Sequence, residues 1–66
     1  MPPKRFGVRL RELRRKRRLT QAALAVKAGV TREYLARLEA GQHDPPLSRV
    51  ERLAKALGAP VTELLR

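Results

Sequence analysis

Basic side chains dominate the chemistry that this sequence offers. The 66 residues include 16 Lys and Arg against 6 Asp and Glu, which gives a formal net charge of +10. Nine of the 16 basic residues lie between Lys4 and Arg18, with Glu12 as the single acidic residue among them. Such a field favours a polyanion, nucleic acid before anionic lipid, although a soluble Arg-rich protein would share this composition. Phe6 and Tyr34 are the only aromatic residues, which disfavours single-strand binding by base stacking.

The sequence offers few residues that could catalyse a reaction or bind a metal ion. The sequence has no Cys, and His43 is its single histidine, without a second His or paired carboxylates beside it. We therefore expect no enzymatic activity, no metal site and no cofactor, and we interpret His43 as a loop residue. The sequence also lacks a signal peptide and any apolar run of about 18 residues, the length that spans a membrane. We expect a cytoplasmic protein without membrane contact.

Short helices separated by turns are predicted along the whole chain, which we treat as a single all-α domain of 66 residues. Phe6, Leu10 and Leu13 are spaced four and three residues apart and predict a first helix over 6–17, preceded by a flexible arm over 1–5. The same periodicity predicts further helices over 21–28, 32–40, 47–57 and 61–65. Because so short a chain buries only about 60% of its unfolded surface, its stability depends on close helix packing or on a partner subunit.

The segment from the second to the third predicted helix carries the most specific signals. Thr20 and Thr31 precede these helices, where a hydroxyl can accept a hydrogen bond from an unpaired backbone amide. Gly29 and Gly41 follow them, and glycine ends helices because it adopts left-handed backbone angles without steric cost. The small Ala25 allows the two helices to cross closely. Two capped helices joined by a short turn form a helix-turn-helix, whose second helix can enter a DNA major groove.

The residues in and around this segment resemble the Cro/C1-type (Xre) helix-turn-helix family. The matching stretches are Leu-Thr-Gln-Ala-Ala-Leu-Ala at 19–25, Ala-Gly-Val-Thr at 28–31 and Leu-Ala-Arg-Leu-Glu-Ala-Gly at 35–41, with weaker matches at 9–14, 53–58 and 63–65. The resemblance implies a five-helix, phage-repressor-like bundle that binds operator DNA. It also places the start of the fourth helix slightly before the capping box offered by Ser48 and Glu51.

By position in the family, the third helix carries the residues that contact base edges. The resemblance assigns this role to Arg32, Glu33 and Arg37. Arg can donate two hydrogen bonds to guanine and Glu can accept one from cytosine, so we expect at least one G·C pair in a half-site. The alternative is an ordinary solvated face on which Glu33 and Arg37, four residues apart, pair with each other.

Phosphate contacts are expected around the helix-turn-helix. The resemblance implies that Gln21 binds a DNA phosphate, and that the hydroxyls and amides at Thr20 and Thr31 face the DNA backbone. Further candidates for phosphate contact are Tyr34, Gln42, Arg17 and Arg18. Arg17 and Arg18 end a basic run that could equally be solvated, and Tyr34 could instead contact a thymine methyl or the core.

Two further positions in the family's pattern concern structure, and two depart from it. Arg14 and Glu39 match an interhelical ion pair, with direct phosphate binding as the alternative for Arg14. Arg18 stands where the family usually has Gly, so it must adopt a positive φ or alter the turn. Asp44 lies in a loop that is commonly basic, which leaves Gln42 as the best phosphate candidate in that loop.

The expected function is sequence-specific binding of double-stranded DNA by a transcriptional regulator, as a homodimer on a palindromic operator. Val61, Leu64 and Leu65 are the expected dimer surface, although they could instead cover the core. Regulation would depend on concentration or on a protein partner such as a toxin. A phage repressor encoded by its phage, a restriction-modification controller and an antitoxin all suit this description. The competing hypothesis is an antitoxin-like or coactivator-like module that mainly binds another protein and binds DNA secondarily.

Overall fold

The computed structural model describes residues 2–66, which form an all-α bundle. Its helices are α1 (Pro3–Lys16), α2 (Gln21–Ala28), α3 (Arg32–Glu39), α4 (Leu47–Leu57) and α5 (Val61–Leu64). The five-helix bundle expected from the family resemblance is confirmed. Helix α1 packs against α3 and α5, α2 packs against α3 and α4, and α4 packs against α5.

The first helix begins earlier than the apolar periodicity predicts. Helix α1 starts at Pro3, so residues 3–5 belong to the helix and the prediction of a flexible arm over them is wrong; Met1 lies outside the described residues. The proline ring presets the helical φ angle at this first position, and its missing N–H would have no partner there anyway. The amide of Phe6 donates to the Pro2 carbonyl at 3.1 Å and closes the first turn.

The other helix ends lie within a residue or two of the predicted ones. Helix α4 begins at Leu47 with Pro46 as its N-cap residue, so Ser48 lies inside the helix and makes no capping bond. Helix α3 ends at Glu39, and α5 ends at Leu64. The chain therefore enters α4 directly from an extended proline, whose φ of −66° is fixed by its ring.

The core is built from one apolar stripe of each helix. Its largest fully buried side chains are Phe6, Leu10, Leu24, Leu35, Leu38, Leu53 and Leu64. The burial of Leu64 corrects the prediction that this residue forms a dimer surface. Helix α5 folds back onto α1 and α4, so its last residue, Leu64, fills the core of a single chain.

Two helices approach each other closely at Gly7, a buried residue inside α1. A Cβ atom placed on Gly7 would lie 2.4 Å from the backbone oxygen of Leu38 and 2.7 Å from that of Glu39. Any side chain would therefore push α1 away from the end of α3, because backbone atoms cannot turn aside. Ala25, for which close packing was predicted from the sequence, is buried in α2, whereas the role of Gly7 was not predicted.

The turn after α1 contains the only positive φ of a non-glycine residue within 2–66. Arg18 has a φ of 55°, so the departure from the family's glycine is accommodated by strain and not by another turn. The amide of Leu19 donates to the Arg14 carbonyl at 3.2 Å, and that of Arg18 to the Arg15 carbonyl at 3.0 Å. These bonds form the usual glycine-type helix end with an arginine in the left-handed position.

Candidate nucleic-acid interface

The helix-turn-helix is held by caps at both of its helices. The Oγ1 atom of Thr20 accepts a hydrogen bond from the Ala23 amide at 3.0 Å, and that of Thr31 accepts one from the Tyr34 amide at 3.0 Å. Gly29 ends α2 with a φ of 70°, in the left-handed region that favours glycine. Because each threonine uses a lone pair for its cap, its hydroxyl proton remains free to donate to an anion in front of the helix.

Helix α3 presents two different faces. Leu35 and Leu38 point into the core and are fully buried. The three predicted base-reading residues, Arg32, Glu33 and Arg37, are all exposed. Among residues 2–66 neither Glu33 nor Arg37 has an ion-pair partner, so the alternative pairing between them is not formed. The exposed face of α3 therefore offers free donors and acceptors on a helix whose opposite face is fixed.

Glu39, at the end of α3, is the centre of a buried polar cluster. Its side chain has no exposed surface, and Arg14 on α1 donates to it through Nε at 2.6 Å and through Nη2 at 3.0 Å. Arg14 also donates through Nη1 to the Leu19 carbonyl at 2.8 Å. The structure thus places the predicted pair in a two-pronged contact, which is the strongest geometry available to Arg and a carboxylate.

Two further donors reach the same carboxylate. The Nε atom of Arg11 lies 3.4 Å from Oε1 of Glu39, and the Nε2 atom of Gln21 lies 3.2 Å from it. The contact of Arg11 was not predicted from the sequence, although Arg11 stands three residues before Arg14 and therefore on the same side of α1. The cluster consequently ties the start of α2 and the end of α3 to the first helix.

This cluster keeps both of its main partners charged. Burial alone would raise the pKa of Glu39, but the hydrogen bonds from Arg14, Gln21 and Arg11 and the charge of Arg14 outweigh it. The pKa of Glu39 is therefore lowered from its ordinary value of 4.5. The hydrogen bond from Arg14 to Glu39 raises the pKa of Arg14 against the opposing effect of its own burial. An ion pair that is charged at neutral pH thus lies beneath the exposed face of α3.

Gln21 is placed where the family resemblance expects it, at the first position of α2. Its carboxamide is half-buried, and one of its N–H groups is engaged by Glu39. A side-chain amide carries two N–H donors and one oxygen. Gln21 therefore has one donor left for a phosphate, and Glu39 fixes the direction in which that donor points.

The two arginines at the end of α1 differ in their surroundings. Arg17 donates through Nε to the Leu57 carbonyl at 2.8 Å, which engages its guanidinium at the end of α4. Arg18 is exposed and makes no side-chain hydrogen bond within the described residues. Of this predicted pair, Arg18 is the freer cation.

Tyr34 joins three parts of the molecule. Its ring stacks on His43 with centroids 5.9 Å apart and planes inclined by 27°, and Cζ of Arg49 lies 4.7 Å from its centroid. The ring is half-buried and packs against the edge of the core, while Gln42 and Asp44 in the adjoining loop are exposed. The stack thus holds the loop before α4 against α3, and a cation over the ring adds to it. The position of Arg49 over the Tyr34 ring was not predicted from the sequence.

Within residues 2–66, no helix is long and apolar enough to cross a lipid bilayer. In the same part of the chain, no three His, Cys, Asp or Glu side chains gather as they would to hold a metal ion. Polar side chains do meet in the cluster around Glu39 and in the ion pair between Arg9 and Glu63.

Comparison with known proteins gives sequence relatives among repressors. The chain matches the family described as helix-turn-helix domain over residues 5–66. It is 42% identical over 59 residues to an immunity repressor protein of Bacillus phage phi105, covering 89% of this chain and 41% of that repressor. The cryptic phage CTXphi transcriptional repressor RstR of Vibrio cholerae is 38% identical over 60 residues, covering 91% of this chain and 54% of RstR. The chain thus spans roughly half the length of these two relatives.

Solved structures give the same answer for the fold. The restriction-modification controller protein C.AhdI from Aeromonas hydrophila superposes with a TM-score of 0.92 at 40% identity, covering 94% of each chain. The clp gene regulator ClgR from Corynebacterium glutamicum superposes with a TM-score of 0.94 at 29% identity, covering 98% of this chain and 69% of ClgR. The chain belongs to the helix-turn-helix domain family and is of the Cro/C1 (Xre) type.

Proposed function

We propose that this chain, a DNA-binding transcriptional regulator by its family, is a repressor that recognises a palindromic operator as a homodimer. The observation that carries the proposal is the exposed face of α3, which presents Arg32, Glu33 and Arg37. The opposite face of the same helix is buried in the core. In this arrangement α3 lies in the major groove, Arg37 or Arg32 contacts guanine, and Glu33 accepts from cytosine.

Phosphate contacts would fix the orientation of α3 in the groove. The free hydroxyl protons of Thr20 and Thr31 lie at the starts of α2 and α3, where the helix dipole favours anions. Gln21 adds its remaining N–H, and the exposed Arg18 and Gln42 add donors on either side. Such contacts carry no sequence information themselves but set the register in which the exposed face of α3 meets base edges.

The dimer surface that we propose is smaller than the sequence suggested. Leu64 belongs to the core, which leaves Leu65, with 43% of its surface exposed, and the half-buried Val61. Arg9 on α1 fixes this end of the chain by donating to the Glu63 carboxylate at 2.7 Å and to the Glu63 carbonyl at 2.8 Å. Because two chains of charge +10 repel each other, we expect DNA to promote dimerisation by neutralising both.

The test of sequence specificity is selection of bound duplexes from a random DNA library by the full chain. The expected product is a palindromic consensus with half-sites about 10 base pairs apart, since two symmetric recognition helices fit successive major grooves. Each half-site should contain a G·C pair. Recovery of DNA without a consensus would contradict the proposed specificity.

The dimer is tested separately by measuring the mass of the complex on the selected operator with light scattering. Two chains per operator are expected. Leu65→Glu should reduce this to one chain at the same protein concentration, whereas Val26→Glu, which adds the same charge at an exposed apolar residue of α2, should not. Equal behaviour of the two variants would contradict the assignment of the surface.

A further inference from the structure

A concave groove lies where the last turn of α2 passes α4. Its volume is about 670 Å³, and Ala28, Gly29 and Ala56 are among the residues that line it. We call it the α2–α4 groove and define its rim by Val26 and Lys27 on α2 and by Arg52 and Lys55 on α4. Nothing in the proposed DNA contacts uses these residues.

The rim of the α2–α4 groove carries one sign of charge. Lys27, Arg52 and Lys55 are exposed, none has an ion-pair partner within residues 2–66, and no acidic residue lines the groove. Lys27 and Lys55 lie in the last turns of their helices, where cations offset the helix dipole. That explanation does not extend to Arg52, which lies in the middle of α4. The three cations together make the rim of the groove electropositive.

Beside these cations lies an apolar side chain that the fold leaves uncovered. Val26 is 82% exposed, the highest value among the large apolar residues of the described chain. An exposed apolar residue within a polar rim fits the pattern of protein interfaces, whereas DNA interfaces are more polar and more positively charged. The exposed Val26 therefore favours a protein segment over nucleic acid.

We propose that the α2–α4 groove docks an acidic segment of a partner protein, with an apolar side chain of that segment against Val26 and its carboxylates on Lys27, Arg52 and Lys55. A second copy of this chain does not fit the requirement, because its own net charge is +10. Among the proposed DNA contacts, Thr20 and Gln21 lie at the other end of α2, about 10 Å away along an eight-residue helix. Thr31 follows Gly29 by two residues, so a bound partner would lie beside the DNA at the turn between α2 and α3.

The test uses peptides selected from a random display library on the full chain, with their dissociation constants then measured by fluorescence anisotropy. Selected peptides should carry clustered Asp or Glu around an apolar residue. The double variant Arg52→Gln/Lys55→Gln should weaken their binding about tenfold, as expected for two lost charge contacts. The double variant Arg15→Gln/Lys16→Gln is the matched control, because it removes the same charge from exposed residues of α1 and should change binding far less. Val26→Ser should also weaken binding without changing the charge.

Three other outcomes would contradict the proposal. Failure to enrich any peptide would show that the groove is not a docking site. Equal losses of peptide affinity in the two double variants would show that the peptides are attracted by net charge alone. If Arg52→Gln/Lys55→Gln weakened binding of duplex DNA more than the α1 control did, the groove would be a phosphate surface. Circular dichroism of each variant checks that the helices remain formed.

Discussion

Replacing Glu39 by Gln removes the negative charge from a side chain that accepts four hydrogen bonds while having no exposed surface. The change leaves the guanidinium of Arg14, whose side chain is 11% exposed, without its counter-charge. Removing one partner of a buried pair lowers the free energy of unfolding by about 3–5 kcal/mol. Because Arg14 is partly exposed, we expect a loss at the lower end of this range, about 3 kcal/mol. Arg11 adds little, because its 45% exposed side chain can turn to water. A domain of this size has a total stability of roughly 3–10 kcal/mol, so Glu39→Gln should remove a large part of it.

Urea unfolding followed by circular dichroism measures this loss. With a slope of about 1 kcal/mol/M for so small a domain, the midpoint should fall by about 3 M. The double variant Arg14→Leu/Glu39→Leu is the control, because it removes both charges and should recover most of the stability. A loss below about 1 kcal/mol for Glu39→Gln, or a double variant less stable than the single one, would refute the role assigned to the pair.

Lowering the pH should remove the difference in stability between the wild type and Glu39→Gln. The pKa of Glu39 is lower in the folded chain than its ordinary value of 4.5, so folding favours the ionised carboxylate. Its contribution is therefore fully present above that ordinary value and is lost as the pH falls through the lower folded value. The stability gap between the wild type and Glu39→Gln, measured by urea unfolding at successively lower pH, should narrow in that range. A constant gap would contradict the lowered pKa.

Three further predictions concern backbone and caps. Gly7→Ala should lower the free energy of unfolding by about 1–3 kcal/mol, because overlap with the Leu38 carbonyl outweighs the gain in helix propensity; a more stable variant in urea would contradict the close approach. Arg18→Gly should raise that free energy by about 1 kcal/mol by relieving the positive φ, while weakening DNA binding; unchanged thermal stability would argue against strain. Thr20→Ala and Thr31→Ala should each cost about 1 kcal/mol in thermal melts, and no change would contradict the caps.

Local signals in the sequence were sufficient for most of the fold. The spacing of Phe6, Leu10 and Leu13 predicted the buried face of α1, and Gly29 predicted the end of α2. These features depend on interactions within a few residues, which the sequence displays directly. The start of α1 was predicted too late because Phe6 is the first residue of the apolar periodicity, whereas proline geometry extends the helix to Pro3.

Features that depend on how helices cross were not accessible in this way. Gly7 would be counted against a helix by propensity, yet it is required where α1 approaches α3. The burial of Leu64 follows from the return of α5 onto α1, which an apolar residue near a chain end does not reveal. The acceptor for Arg17 is a backbone carbonyl 40 residues away at Leu57, which no side-chain type could signal.

The candidate site was anticipated in part through the family resemblance. That resemblance brought Arg14 and Glu39 together and put Gln21 at the start of α2, where the structure places them. It did not indicate that Glu39 also engages Gln21, because this contact requires the ends of two helices to meet. The stack of Tyr34 on His43 was likewise not indicated, because it depends on the course of the loop before α4.

The assignment of base reading to the exposed face of α3 is tested most directly by the affinities of two variants for the selected operator and its single base-pair changes. Arg37→Ala should lose about 1–3 kcal/mol of discrimination at one base pair and leave the others unchanged. Gln21→Ala, which removes a phosphate donor, should weaken binding to every sequence by a similar factor. If Arg37→Ala also lowered affinity evenly across all the sequences, α3 would not be reading bases through that face.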